Sequence, residues 1–253
     1  MDLDLDGKSI IVTGASAGIG LACANRFAQE GARVVLVSRG TDRLKTALNK
    51  LGSANAVVHA ADLGRHDDRE ALFEAFPDAD VLINNAGAIP GGSLSAMSMD
   101  RWREAWELKV FGYIHLTKLF LAAMQQRKAG CIVNIIGMAG RAPRPDYICG
   151  TAGNAALIAF TEAVGGASTR DGVRVCGINP GMTLTDRVRR LIPGRQGAEP
   201  YGSLSAGWND LDLPFARMVT PDEIAAVAVF LSSSAASYIS GTVVDIDGGN
   251  RFR

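Results

Sequence analysis

Short, β-branched and nearly continuous apolar runs recur along the chain at 9–13, 33–38, 56–60, 81–84, 131–136, 173–178 and 242–246. Strands read this way when helices cover both faces of a parallel sheet, because no residue has to alternate toward water. Between the runs, apolar positions recur near the helical period over 19–30, 42–51, 67–76, 99–127, 152–170 and 221–232. Seven strands alternating with helices predict a doubly wound α/β architecture with one parallel sheet. The boundary residues agree with the periodicity. Gly31 follows the first helix as a left-handed cap would, Pro77 stops the third, and Thr220-Pro221 starts the last with proline at the first helical position. With no internal repeat and no low-complexity linker, 1–253 reads as one domain. The segment 182–215 departs from the alternation, being long and rich in Gly, Pro, Ser and Arg. Connections of that length are usually functional, and a lid over a site is expected there.

Composition narrows the possibilities. Of 253 residues, 47% are apolar and 21% charged, which is the make-up of a cored globular chain. The 26 basic and 26 acidic side chains cancel, so no overall field draws it to nucleic acid. The longest clean apolar run, 224–231, is far below the ~20 residues of a membrane span, and no membrane association is expected. The acidic start, Asp2, Asp4 and Asp6, is unlike a signal or transit peptide, and a cytoplasmic location is expected. Cys23, Cys131, Cys149 and Cys176 are scattered in apolar surroundings and read as reduced packing residues. His59, His66 and His115 show no ligand spacing with one another or with a cysteine, so no metal site is expected.

The first strand runs into Thr13-Gly14-Ala15-Ser16-Ala17-Gly18-Ile19-Gly20 and then into a helix. Gly14 suits the tight turn, Gly18 lets bare backbone approach a pyrophosphate, and Gly20 lets the helix pack close to the sheet. The helix N-terminus then offers unpaired N–H groups to the anion. The order strand, glycine loop, helix makes this a Rossmann-type dinucleotide site.

The spacing Thr-Gly-x-x-x-Gly-x-Gly resembles that of the short-chain dehydrogenase/reductase family, and further motifs extend the resemblance over the whole chain. Asp62-Leu63 stands where the family's acidic residue meets adenine. Asn84-Asn85-Ala86-Gly87 ends the fourth strand. Asn179-Pro180-Gly181 with Thr183 and Thr185 matches the segment that approaches the nicotinamide and phosphates, and 241–249 matches the last strand. The resemblance thus implies cofactor contacts from Gly14, Ser16, Gly18, Ile19, Gly20, Asp62, Leu63, Asn85, Ala86, Gly87, Pro180, Gly181, Thr183 and Thr185. It also implies a homodimer or homotetramer formed through the helices 99–127 and 152–170. At the end of the second strand, Ser38-Arg39 replaces the acidic residue that would hold both ribose hydroxyls of NAD. A guanidinium there suits a 2′-phosphate, so NADP(H) is expected over NAD(H).

The resemblance breaks where the family carries its chemistry. The family's serine falls on Gly137, its Tyr-x-x-x-Lys on Gly150 and Asn154, and its asparagine on Lys109. Lysine and asparagine have exchanged helices, so an ammonium and an amide remain available. Tyr147 lies one helical turn, ~4.5 Å, before Gly150, and its phenol is long enough to lean back over it. Lys109, Tyr147 and Asn154 are therefore the candidate catalytic residues. Cys149 as a nucleophile has no histidine near it in sequence. Arg187, Arg189, Arg190 and Arg195 suit either solvent or an anionic handle on a small-molecule substrate. The expected activity is an NADP-dependent oxidoreductase acting on a carbonyl or alcohol through a rearranged acid/base group. A dinucleotide-binding protein without turnover and a non-redox lyase or isomerase are the other readings.

Overall fold

The structure is a computed structural model that describes residues 2–186, 188 and 213–253. Arg187, Arg189, Arg190, Arg195 and most of the segment expected to form a lid lie outside the described residues. The strands are β1 (Ser9–Thr13), β2 (Arg33–Ser38), β3 (Ala56–Ala60), β4 (Val81–Asn84), β5 (Gly130–Ile135), β6 (Val173–Pro180) and β7 (Val243–Ile246). They form one sheet in the order β3-β2-β1-β4-β5-β6-β7, every neighbour parallel. The order reverses between β1 and β4, which opens a crevice beyond the carboxyl ends of these two strands.

Alternate residues of each strand feed opposite cores. On one face Ile10, Val12, Val34, Leu36, Ile83 and Val133 pack with Phe27 of α1 (Gly18–Gln29), Leu44 of α2 (Thr41–Leu51), and Ala225 and Ala228 of α7 (Pro221–Ser232). On the other, Ile11, Val35, Leu82, Ile132 and Val175 meet Leu72 of α3 (His66–Ala75) and Leu116, Phe120 and Met124 of α5 (Gly112–Arg127). This division is why the strands lack polar alternation: each side chain finds a helix on its own side. Helix α7 starts as expected. Thr220 and Glu223 form a reciprocal capping box with Pro221 at the first turn, and Arg26 of α1 grips Asp222 with Nε–Oδ1 at 2.8 Å.

Two helices differ from the sequence expectation. The stretch 99–127 is interrupted, with α4 (Met99–Trp106) joined to α5 by a π-helical turn at Glu107–Phe111 that carries Lys109. Apolar periodicity cannot show a single widened turn, and such turns are frequent at functional sites. Helix α6 (Ile148–Ser168) begins at Ile148 instead of near 152, so Tyr147 is its N-cap, with non-helical φ −138° and ψ 38°. Helix α6 with its extension to Asp171 has the length and apolar composition of a membrane-crossing helix, and half of the window is buried inside the protein. Gly165 lies against the Val175 carbonyl of β6 at a distance that leaves no room for a Cβ.

Candidate active site

The glycine loop is held from below by side chains of the neighbouring strand end. Thr13 Oγ1 donates to the Ile83 carbonyl at 3.1 Å and accepts from the backbone N–H groups of Asn85 at 2.8 Å and Ala86 at 3.0 Å. The Asn85 amide donates to the Thr13 carbonyl at 2.9 Å, so this side chain supports the loop instead of pointing into the crevice. Gly14 has φ +67°, and a Cβ there would lie 2.8 Å from Asn85 Nδ2; one on Gly20 would lie 2.4 Å from the Gly14 carbonyl oxygen. Gly18, at φ +56°, faces Thr185 Cγ2. Helix α1 starts at Gly18 with no side-chain cap on Ala17 and no acidic residue in its first turn. Its leading N–H groups, with Ser16 and Ile19 beside them, are the donors that an anion would meet.

Around this loop the structure gathers the other residues expected at the cofactor. Ser38 ends β2 with its Oγ buried and without a hydrogen-bond partner. Arg39 beside it is exposed and makes no hydrogen bond or ion pair among the described residues. Asp62 accepts from Gly64 N–H at 3.1 Å, and Leu63 is buried. Pro180 closes β6, Gly181 N–H donates to the Ile246 carbonyl at 2.9 Å, and Thr183 Oγ1 donates back to the Gly181 carbonyl at 2.9 Å.

Each of the three expected catalytic side chains lies against a different glycine. Gly150 is buried in the first turn of α6, and a Cβ there would lie 2.0 Å from Tyr147 Cε1 and 2.1 Å from Cζ. The phenol ring thus lies across Gly150, in space that any larger residue would fill. Gly137 has φ +150°, and its Cβ would lie 2.8 Å from Asn154 Nδ2. Asn154 is 4% exposed, and its side-chain amide has no hydrogen-bond partner among the described residues. Gly87, the last residue of the Asn-Asn-Ala-Gly motif, carries the stem of Lys109 across its Cα: a Cβ there would lie 2.6 Å from Lys109 Cδ.

Lys109 is buried, and three acceptors surround its ammonium. Nζ donates to the Ile135 carbonyl at 2.6 Å, to the Ile136 carbonyl at 3.2 Å and to Tyr113 Oη at 3.0 Å. Tyr113 in turn donates to the Ile135 carbonyl at 3.0 Å, and burial raises its pKa well above the ordinary phenol value, so it remains neutral. The positive charge therefore sits under the carboxyl end of β5. Cys149 is fully buried, and burial pushes its thiol upward in pKa, which suits packing and not nucleophilic attack.

Several supporting contacts carried no sequence signal, although Asn84 and Asn179 stand in the motifs above. Asn179 Oδ1 accepts from Gly137 N–H at 3.2 Å while its Nδ2 donates to Asp245 at 2.8 Å, which fixes the turn after β5. Beneath it, a buried ladder runs from Asn84 Nδ2 to Asn134 Oδ1 at 3.0 Å and from Asn134 Nδ2 to Thr161 Oγ1 at 2.9 Å. Trp106 Nε1 donates to the Cys149 carbonyl at 3.1 Å, and Trp102, Trp106 and Tyr147 share one apolar cluster with Ile89 and Met97. The order of β4, β5, β6 and β7 in the sheet and the packing of α4 and α6 create these contacts.

Comparison with known proteins places the chain among its relatives. Residues 8–196 match the family model for short chain dehydrogenases. The chain is 34% identical over 253 residues to galactitol 2-dehydrogenase (L-tagatose-forming) of Cereibacter sphaeroides, with 97% of this chain and 95% of that protein covered. It is 31% identical over 257 residues to D-beta-hydroxybutyrate dehydrogenase of Cupriavidus necator, covering 97% and 98%. Among solved structures, L-sorbose reductase from Gluconobacter frateurii, complexed with NADPH and L-sorbose, superposes with a TM-score of 0.88 at 31% identity over 98% of each chain.

Proposed function

The chain belongs to the short-chain dehydrogenase/reductase family of oxidoreductases, and from that premise we propose that it interconverts a small carbonyl compound and its alcohol with NADP(H), using Tyr147, Asn154 and Lys109. The observation that carries this reading is the Tyr147 ring lying across Gly150, which returns a phenol to the helix position where the family keeps one. No tyrosine of this chain is followed four residues later by lysine, so the proton-transfer group has to be assembled from elsewhere in the sequence.

Each displaced group takes over a definable task. Tyr147 Oη is the proton donor to the carbonyl oxygen in reduction and the acceptor from the alcohol in oxidation. Asn154 Nδ2, beside Gly137, supplies the neutral hydrogen bond that a serine hydroxyl supplies in the family; its amide is buried and has no hydrogen-bond partner among the described residues, so it costs less to bond a substrate oxygen than to leave it dry. Lys109 contributes charge from behind the β5 terminus. Its task in this reading is electrostatic, a fixed positive charge held at the carboxyl end of β5.

The cofactor suits the residues present. The uncapped start of α1 and the glycine loop would hold the pyrophosphate, Asp62 and Leu63 the adenine, and the Pro180–Thr185 segment the nicotinamide half. The Ser38 hydroxyl and the Arg39 guanidinium, neither with a hydrogen-bond partner among the described residues, would hold a 2′-phosphate, which favours NADP(H). The bound dinucleotide supplies the hydride; the protein supplies orientation and the proton. Assembly as a homodimer or homotetramer through α5 and α6 belongs to the same reading. Sedimentation velocity at working concentration would refute it by showing a monomer.

The test is a panel of small ketones, aldoses and hydroxy acids with NADPH or NADP, followed at the nicotinamide absorbance. Turnover is expected on at least one, and Tyr147→Phe should lower kcat by about 10²- to 10⁴-fold while leaving NADPH affinity intact. Full activity in Tyr147→Phe would remove the phenol from the mechanism. Tight cofactor binding without turnover on any substrate would favour a non-catalytic dinucleotide-binding role.

A further inference from the structure

On the outer face of the second helical layer, α3 and α5 bring together three side chains that the sequence keeps apart. His66 opens α3, Glu70 follows one turn later on the same face, and His115 comes from α5. His66 Nε2 lies 3.1 Å from Glu70 Oε1, the two imidazoles stack with centroids 4.5 Å apart, and one ligand atom from each of the three residues lies within 4.8 Å of the others. We propose that His66, Glu70 and His115 form a zinc-binding site that ties α3 to α5, separate from the dinucleotide crevice.

The chemistry of the donors selects the ion. Two imidazoles and one carboxylate suit zinc and the neighbouring transition ions, whereas calcium and magnesium take oxygen donors. His115 is the fixed member. It is partly buried, and its Nδ1 is shut off from solvent without a hydrogen-bond partner among the described residues. His66 and Glu70 are the adjustable members, with side chains 60% and 49% exposed. Tetrahedral ligation at ~2.1 Å needs donor atoms ~3.4 Å apart, which rotation of these exposed side chains provides.

The surrounding charges set the limits. Arg69 faces the site from α3, but its guanidinium is engaged by Glu107 at 2.8 Å and by the carbonyls of Leu63 and Glu107. Lys118 adds a second cation from α5; Glu107 offsets Arg69, and Glu70 is the carboxylate that lies against His66. Histidine ligation therefore has to carry the affinity, which is a further reason to expect a transition ion. The open side is a groove of about 340 Å³ lined by His66, Phe111, His115 and Lys118, which leaves the fourth position to water.

Zinc titration of the metal-stripped full chain against a competing chromogenic chelator tests the proposal, with cobalt absorption in the visible as the second readout. One equivalent per chain is expected, with a rise in thermal midpoint. Loss of an outer-sphere partner of a zinc ligand already costs about 10- to 100-fold in affinity, so His115→Ala and His66→Ala should each weaken binding at least that much. His59→Ala, whose ring instead packs on Phe76, should change nothing. His115→Gln, which keeps the volume and a polar terminus, guards against a folding defect and should lose zinc equally. Saturable binding that survives loss of His66 or His115, or that falls equally in His59→Ala, overturns the assignment, as does an absence of saturable binding.

Discussion

The two ends of the crevice use glycine for opposite purposes. Around β1 and α1, Gly14 and Gly20 let main chain lie against main chain and against the Asn85 amide, so the empty Cβ positions are closed by the protein's own backbone support. Around β5 and α6, Gly137 and Gly150 leave room that side chains from elsewhere enter: Asn154 from the next turn of α6 and Tyr147 from before its start. A site made of backbone keeps its residues at fixed sequence spacing, because the turn geometry demands them. A site made of side chains needs only that the right atoms arrive, and they can arrive from new positions.

The sharpest way to break this contrast is to fill one of the reaction-end vacancies. Gly150→Ala places a methyl group where the Tyr147 ring now lies, 2.0 Å from Cε1, and the ring has to leave. The expected loss in kcat is about 10²- to 10⁴-fold, matching removal of the phenol, with NADPH dissociation unchanged. Alanine is the better helix former by ~1 kcal/mol, so a stability-only role for Gly150 would predict a variant at least as stable and as active as the parent. Retained turnover would mean that the tyrosine position is incidental.

How much was legible follows the same division. Strands β1 to β4 fall on their expected residues, and α7 begins at its proline, because buried apolar runs and the Thr220-Pro221 start are local signals. The glycine loop was equally legible, since strand, turn and helix have to follow one another in sequence. The π-helical turn under Lys109 and the start of α6 at Ile148 were not, because both depend on what the chain packs against. Tyr147 leaning over Gly150 was within reach of spacing arguments, and the vacancy at Gly150 was the clue. The Asn84–Asn134–Thr161 ladder and the His66–His115 stack had no such clue: each joins residues that only the sheet order and helix packing make neighbours. Lys109 is a mixed case. It was expected to reach the ribose and nicotinamide if its helix faces α6, and its donors meet the carbonyls of Ile135 and Ile136 and the Tyr113 hydroxyl.

A change at the cofactor end sharpens the contrast from the other side. Arg39→Ala removes a guanidinium that touches no described protein group, so the fold should not register it. Hydrogen bonds to a charged group are worth about 1.5–3 kcal/mol, which corresponds to roughly 10- to 150-fold in affinity. NADP(H) dissociation should weaken within that range while NAD(H) changes little, as read by calorimetry with each dinucleotide. Equal weakening of both would assign Arg39 to the shared adenosine and leave the preference unexplained.

The smallest expected effect concerns what holds the phenol in place. Because Tyr147 stands outside α6, helical geometry does not fix its direction. Its neighbours do: Gly92 N–H donates to the Asp146 carbonyl at 2.8 Å, Ile148 N–H donates to the Gly92 carbonyl at 3.3 Å, and Trp106 bonds the Cys149 carbonyl while packing in the cluster that includes the Tyr147 ring. Trp106→Phe keeps most of the apolar contact and removes one hydrogen bond, a loss of about 1 kcal/mol. For a chain of this size that lowers the thermal midpoint by roughly 2–4 °C. If the contact positions the phenol, kcat should fall by about fivefold and its pH dependence should shift, with the KM for the cofactor unmoved. A lower midpoint with kcat and pH profile intact would show that Trp106 steadies the helix start without steering the tyrosine, and the task of aiming it would then rest on the other contacts around it, those of Gly92 among them.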